Sequence, residues 1–328
     1  MLRVTVAIER HSLPLLPKQG IPFPTSEIVR NGFVPGREAA ENERDMNRDA
    51  LILLLGCIAL SPLSSAQTTG DRINLYFGDW HSSAPHMIRG ALEERDILTR
   101  GDGLNPPRAG AVFRFLNSYT HATLAAGAST KPERLDGQQE IYFVESGKGR
   151  LTAGGQTASL YRNVAVLMPA NLEFTLESTG DVPLAMYVIN EPVPAGFRPN
   201  ANMLVRDENT IPIASSNGFW AHIAKPLFTT ADGLGTLESV VTVTLDPLTI
   251  GKPHPAPNED TSDIEEVWTS LYGNSLALVG NQLHEQTPGM AYLHIPDNLT
   301  PHTNINPSGE SQAKFLYFAR YRPHETRK

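Results

Sequence analysis

The chain contains one segment twice. Glu140-Ile-Tyr-Phe-Val-Glu-Ser-Gly147 is answered 126 residues later by Glu266-Val-Trp-Thr-Ser-Leu-Tyr-Gly273, with seven residues from Glu to Gly in both. Downstream, Met168-Pro169-Ala-Asn-Leu172 is answered by Ile295-Pro296-Asp-Asn-Leu299, so Gly to Pro spans 22 residues in the first copy and 23 in the second. Two anchors that keep one register mark a duplicated unit, and they restrict the fold to one that can be built twice. Between the anchors run Gly149-Arg-Leu-Thr-Ala and Ser275-Leu-Ala-Leu-Val, with Gly154-Gly155 and Pro288-Gly289 as turn signals. Alternation broken by such turns predicts strand, turn and strand.

Composition agrees with strands. Among 328 residues, 26 Gly and 26 Pro, with few long helix-forming blocks, predict an all-β chain of many short elements. A formal charge of −8 without clustered Lys and Arg excludes a phosphate-binding surface, so nucleic acid is not an expected partner and a small-molecule ligand is.

From Met46 the chain reads as a short polar start with Arg48, an apolar run Leu51 to Leu60, and the small-residue end Ser61-Pro-Leu-Ser-Ser-Ala66-Gln67. That is the pattern of a secretory signal cut after Ala66. Its apolar run is short for a bilayer span, so no membrane association is expected after cleavage and the mature protein is expected to be periplasmic or secreted. Residues 1–45 have neither periodicity nor a core, and read as an extension ahead of a start at Met46. Cys57, the one cysteine, lies inside the signal at 46–66, so a cleaved chain can form no disulfide. Leu54-Leu55-Gly56-Cys57 only faintly matches a lipid-attachment site.

The spacing of the duplicated unit resembles the cupin family over about residues 110–190 and 238–320. Gly127, Glu140 and Gly147 fall at the spacings of that family's first motif. The resemblance implies two tandem cupin barrels (double-stranded β-helix, or jelly-roll) at 111–190 and 238–322, joined by a linker at 191–237. It further implies a divalent metal held in a barrel by three His and one Glu, and a dimer or an internal pseudo-dimer. Carried onto the first copy, the ligand positions are Glu133, Leu135, Glu140 and Phe174, with Ser178 at the final Asn position. Leu and Phe offer no donor, so the first barrel is expected to be ligand-depleted, with Glu140 either paired with Glu133 as an acid pair, held by Arg134, or at the surface.

The second copy keeps more. His302, with Asn306, matches the family's second motif, and Glu266 matches its Glu. The paired His of the first motif are replaced by a single His254, while Glu259 and Thr261 stand at the strict spacing. The candidate metal site is therefore His254, Glu266 and His302, with Glu259 or Asp260 as a further carboxylate. Two imidazoles and a carboxylate suit Fe, Mn or Zn and permit oxygenase, isomerase or lyase chemistry. Two functions follow: an exported metal-dependent enzyme acting on a small polar or carbohydrate-derived molecule, or a metal-free binding or structural bicupin. His284 and His294 have no family role to carry over and read as structural. Residues 67–110 are expected to form a helical and loop segment, with a helix over Ala84 to Leu98. His222 either faces a pocket or lies beside Trp220 in the linker's docking surface.

Overall fold

Two kinds of strand differ in periodicity. Lys148–Ala153 alternates exposed and buried residues along its length, whereas Val164–Met168 and Leu184–Pro192 are buried almost throughout. Strands of the first kind have one covered face and strands of the second have two. The computed structural model describes residues 70–214, 221–256 and 263–321 and accounts for the difference. In each half a large sheet faces a four-stranded sheet. The first large sheet centres on Gln138–Ser146, Leu184–Pro192 and Ser118–Leu124; the second centres on their repeats Glu265–Tyr272, Ala313–Arg320 and Ser239–Leu245. This is the expected all-β architecture of two tandem barrels.

The large sheets pack against each other. Tyr119, Ile141, Phe143 and Tyr187 of the first share a single core with Val240, Leu316 and Phe318 of the second, and Tyr119 meets Phe318 edge-on at 4.9 Å. The opposite side chains of the first sheet, among them Tyr142, Val144 and Val188, form a separate core with Leu151, Phe174 and Leu176 of its four-stranded sheet. Period-2 alternation thus sends neighbouring residues to barrel interior and barrel interface in turn.

The interface carries a reciprocal pair of buried carboxylates. Glu265 accepts the backbone N–H groups of Arg114, Phe115 and Leu116 at 2.5, 2.9 and 3.0 Å. Glu191 accepts those of Gly235, Thr236 and Leu237 at 2.8, 2.8 and 2.6 Å, and an N–H of Gln139 at 2.6 Å. Each carboxylate captures the loop that leads into the other barrel's central strand. The positions correspond: Gln139 pairs across the strands with Glu191, and Glu265 with Arg320. The acid has simply changed strand between the copies. Three converging N–H groups make an anion nest, which offsets burial of the charge. Burial still pushes the Glu265 carboxyl up to about 7 against those hydrogen bonds.

The helix expected over Ala84 to Leu98 does not form. Pro85–Ile88 and Leu92–Arg100 are antiparallel strands, joined through Arg89 and Gly90, both with positive φ. The loose apolar spacing is overridden by tertiary pairing of Leu92–Arg100 with Ser118–Leu124, which buries Leu92 and Leu98. Just upstream, Phe77–Asp79 pairs with Met290–Leu293 in the second barrel. The linker is also drawn into the sheets, Leu204–Asp207 adding to the first and Ile223–Thr229 to the second. The expected extension, signal and Cys57 lie outside the described residues. Among the described residues no helix is long and apolar enough to cross a membrane.

Replacing Glu191 or Glu265 by Ala leaves three buried N–H groups unanswered, and each change is expected to cost about 3 kcal/mol. Urea unfolding of the two variants measures this, and a loss below about 1 kcal/mol for both would remove the carboxylates from the interface's energetics.

Candidate metal centre

Glu266 immediately follows the interface acid Glu265 on the strand Glu265–Tyr272, so its side chain turns to the interior of the second barrel. His302 opens the facing strand His302–Asn306. His254 reaches it through an isolated bridge: its N–H donates to the His302 carbonyl at 3.2 Å and its carbonyl accepts the His302 N–H at 3.0 Å. The structure therefore brings together the three predicted residues, with one donor atom of each within 4.8 Å of the others. Glu259 and Asp260 lie outside the described residues. His284 is elsewhere, its ring 4.1 Å from that of Phe77.

Hydrogen bonds orient each donor. Gln286 donates to the backbone carbonyls of Trp268 and Met290 at 3.0 and 3.3 Å, which leaves its side-chain oxygen to accept from Asn304 at 2.8 Å. The Asn304 oxygen in turn accepts the Tyr292 hydroxyl at 3.0 Å. Tyr292, its proton committed, can only accept from His302 Nδ1, 3.0 Å away. The relay places the His302 proton on Nδ1 and its lone pair on Nε2, which is buried and has no hydrogen-bond partner among the described residues. His254 Nδ1 meets the Lys252 carbonyl at 2.8 Å, which likewise directs its lone pair to Nε2. This is how protein metal sites commonly fix imidazole ligands.

Glu266 accepts from Trp268 Nε1 at 2.8 Å and from the Tyr321 hydroxyl at 3.1 Å. Burial pushes its carboxyl up, but the nearby His302 and His294 and the Trp268 hydrogen bond outweigh burial and hold it below the usual carboxylate range. Burial, with His294 beside it, holds His302 well below the usual imidazole range. Among the described residues no Lys or Arg forms an ion pair with this carboxylate. A buried anion facing imidazole lone pairs is a donor set for a borderline divalent cation, and the residues present fit one. They lie beside a cavity of about 210 Å³ whose walls include Ala224, Pro226, Val241 and Val243. His222 lines the same cavity, 5.4 Å between its ring and that of Trp268, and burial, with His254 nearby, pushes it down to about 4. His222 thus lines a pocket, one of the two places expected for it; Trp220, which defines the other, lies outside the described residues.

The cupin domain family model matches residues 120–190, within the first barrel. Among solved structures, a mutant of Bacillus subtilis oxalate decarboxylase is similar at 11% identity and TM-score 0.57, over 88% of this chain and 86% of that one. Hazelnut (Corylus avellana) vicilin is similar at 10% identity and TM-score 0.57, over 76% and 86%. Protein Ylba from E. coli is similar at 13% identity and TM-score 0.56, over 78% and 95%. Residues 120–190 thus match a cupin domain, and the chain has the two-barrel fold of these structures. No curated protein matches it in sequence.

The first barrel answers its own buried Glu140 differently. Arg89, from the turn between Pro85–Ile88 and Leu92–Arg100, projects inward with 3% of its side chain exposed. It donates to Glu140 Oε1 at 2.6 Å and to Glu133 Oε2 at 2.9 Å, and its guanidinium lies 5.1 Å from the Phe174 ring centroid. The cation thus touches residues at three of the four positions that the resemblance assigns to ligands. The fourth, Leu135, is buried apolar packing. Tyr142 and Asn190 complete the bonds to Glu140. Arg134, expected to hold Glu140, pairs instead with Asp136 at 3.1 Å, because alternation along Glu133–Arg134 turns it to solvent. The acid pair of Glu133 and Glu140 is bridged by Arg89. Nearby, burial, with Glu140 beside it, pushes the Glu94 carboxyl up to about 7.

Arg89→Met strands a buried carboxylate and is expected to cost about 3–5 kcal/mol, most of it recovered in Arg89→Met/Glu140→Gln. Equal stability of wild type and single variant in denaturant would show that the pair has no structural weight. Glu94 gives a pH signature of known sign: its folded carboxyl keeps a proton that the unfolded chain has released between the ordinary carboxylate range and about 7. Its contribution to stability therefore falls as pH rises through that window, and Glu94→Gln should flatten the decline in melting temperature between pH 5 and 8.

Proposed function

We propose that this bicupin holds a divalent cation in its second barrel on His254, Glu266 and His302 and uses it on a small molecule entering the adjoining cavity. The observation that carries this reading is the unpartnered, buried His302 Nε2 aimed beside a buried carboxylate, at one end of a cavity open to a ligand. Fe, Mn and Zn all suit two imidazoles and a carboxylate. The cation, when bound, supplies a Lewis acid with open positions, the shared requirement of oxygenase, isomerase and lyase chemistry.

The chain's own residues do the positioning. Trp268 and Tyr321 hold the two oxygens of Glu266, the Lys252 carbonyl and Tyr292 set the proton positions of His254 and His302, and the Tyr317 hydroxyl backs that of Tyr321. The cavity, of about 210 Å³, suits a small ligand. Apolar walls leave few partners for the hydroxyls of a free sugar, and favour a molecule with an apolar part and one polar, cation-binding end over the carbohydrate-derived ligand expected from sequence. The polar start, apolar run and small-residue end at 46–66 support export to the periplasm or outside the cell. The first barrel supports rather than reacts, with Arg89 where the donors would converge.

Elemental analysis of the full chain, purified without a polyhistidine tag, tests the reading beside His302→Ala. Near one equivalent of Fe, Mn or Zn in the wild type and its loss in the variant is the expected outcome. Metal in neither would favour the alternative, a metal-free binding or structural bicupin.

A further inference from the structure

We infer that His294 is a further donor to the second-barrel cation, presenting Nδ1 beside Glu266; the inference rests on the metal-binding reading above. His294 directly follows the strand Met290–Leu293, and its N–H donates to the Glu266 carbonyl at 2.7 Å. That backbone bond sets it across from Glu266, and residues so opposed turn their side chains to the same face. Its Nδ1 stands 3.5 Å from Glu266 Oε2, while His302 Nε2 stands 3.3 Å from Oε1. The two rings stack with centroids 3.6 Å apart and 21° between their planes, each presenting a nitrogen to one oxygen of the same carboxylate.

Hydrogen bonding distinguishes His294 from its neighbours. His254 and His302 each have Nδ1 engaged, by the Lys252 carbonyl and the Tyr292 hydroxyl. His294 is fully buried, and neither of its ring nitrogens has a hydrogen-bond partner among the described residues. A neutral imidazole has a donor and an acceptor to satisfy, and a buried ring satisfying neither is costly. A cation shared with Glu266 engages the lone pair and balances the buried carboxylate together. His284 also has a buried ring nitrogen without a partner, but it lies against Phe77, away from this carboxylate, and takes no such role.

The test is Zn(II) binding to the full chain by chelator competition, with wild type, His294→Ala, His302→Ala and Tyr292→Phe compared, and 15N-imidazole spectra of the wild type with and without Zn(II). Loss of an outer-shell partner such as Tyr292 weakens metal affinity about 10–100-fold. His294→Ala is expected to weaken it more than that, and the His294 Nδ1 resonance of the wild type is expected to shift on loading. The wild-type spectrum decides even where a variant fails to fold. A wild type that binds Zn(II) with an unshifted His294 ring, or His294→Ala binding as tightly as wild type, overturns the inference while leaving the His254, Glu266 and His302 site standing. A wild type that binds no Zn(II) overturns both.

Discussion

A carboxylate buried inside a barrel must find positive charge or strong donors there, and the two halves of this chain meet that demand in opposite ways. In the first, Arg89 brings a permanent cation on a side chain, and Tyr142 and Asn190 complete the shell around Glu140. In the second, Glu266 is surrounded by Trp268, Tyr321 and imidazoles. A guanidinium fills its site and cannot leave. Imidazole lone pairs leave room for an ion that can enter and a ligand that can bind it. The acid at the same repeat position is therefore paired with a side-chain cation in one interior and faced by imidazoles in the other.

Which way Glu266 faces is set by its neighbour. Glu265 grips the backbone of 114–116 in the first barrel, and because successive strand residues point to opposite faces, anchoring Glu265 at the interface commits Glu266 to the interior. Gln139 and Glu140 repeat the arrangement, with the acid moved to Glu191. Interface and site are thus one mechanical unit. The relay from Gln286 through Asn304 and Tyr292 to His302 adds the second constraint, on proton position rather than on direction.

The duplicated Glu, Gly and Pro spacings made the two barrels legible in the sequence, because turns and ligand-bearing strands leave fixed intervals. Glu266 and His302 were legible for the same reason, whereas His254 stands off the strict spacing and was picked out only as the one His left ahead of Glu266. Arg89 and His294 were not, since neither belongs to the repeated motif. His294 carried a faint signal, two residues ahead of Pro296 on the segment that must pair with Glu266, whereas Arg89 enters from a hairpin that the apolar spacing of Met87, Ile88 and Leu92 disguised as a helix. The pairing of Leu92–Arg100 with Ser118–Leu124 is a long-range contact, and local pattern carries no information about it.

Between Phe77 and Arg100 the chain first adds a strand to the second barrel's sheet and then a hairpin to the first, delivering Arg89 into its interior on the way. The linker does the converse, giving Leu204–Asp207 to the first sheet and Ile223–Thr229 to the second. Each half therefore holds pieces of chain that the repeat does not contain. The repeat is a unit of ancestry and not of folding: a cut at the midpoint of the duplication would yield two fragments, the first carrying a strand whose partner has been left behind and the second an unprotected sheet edge.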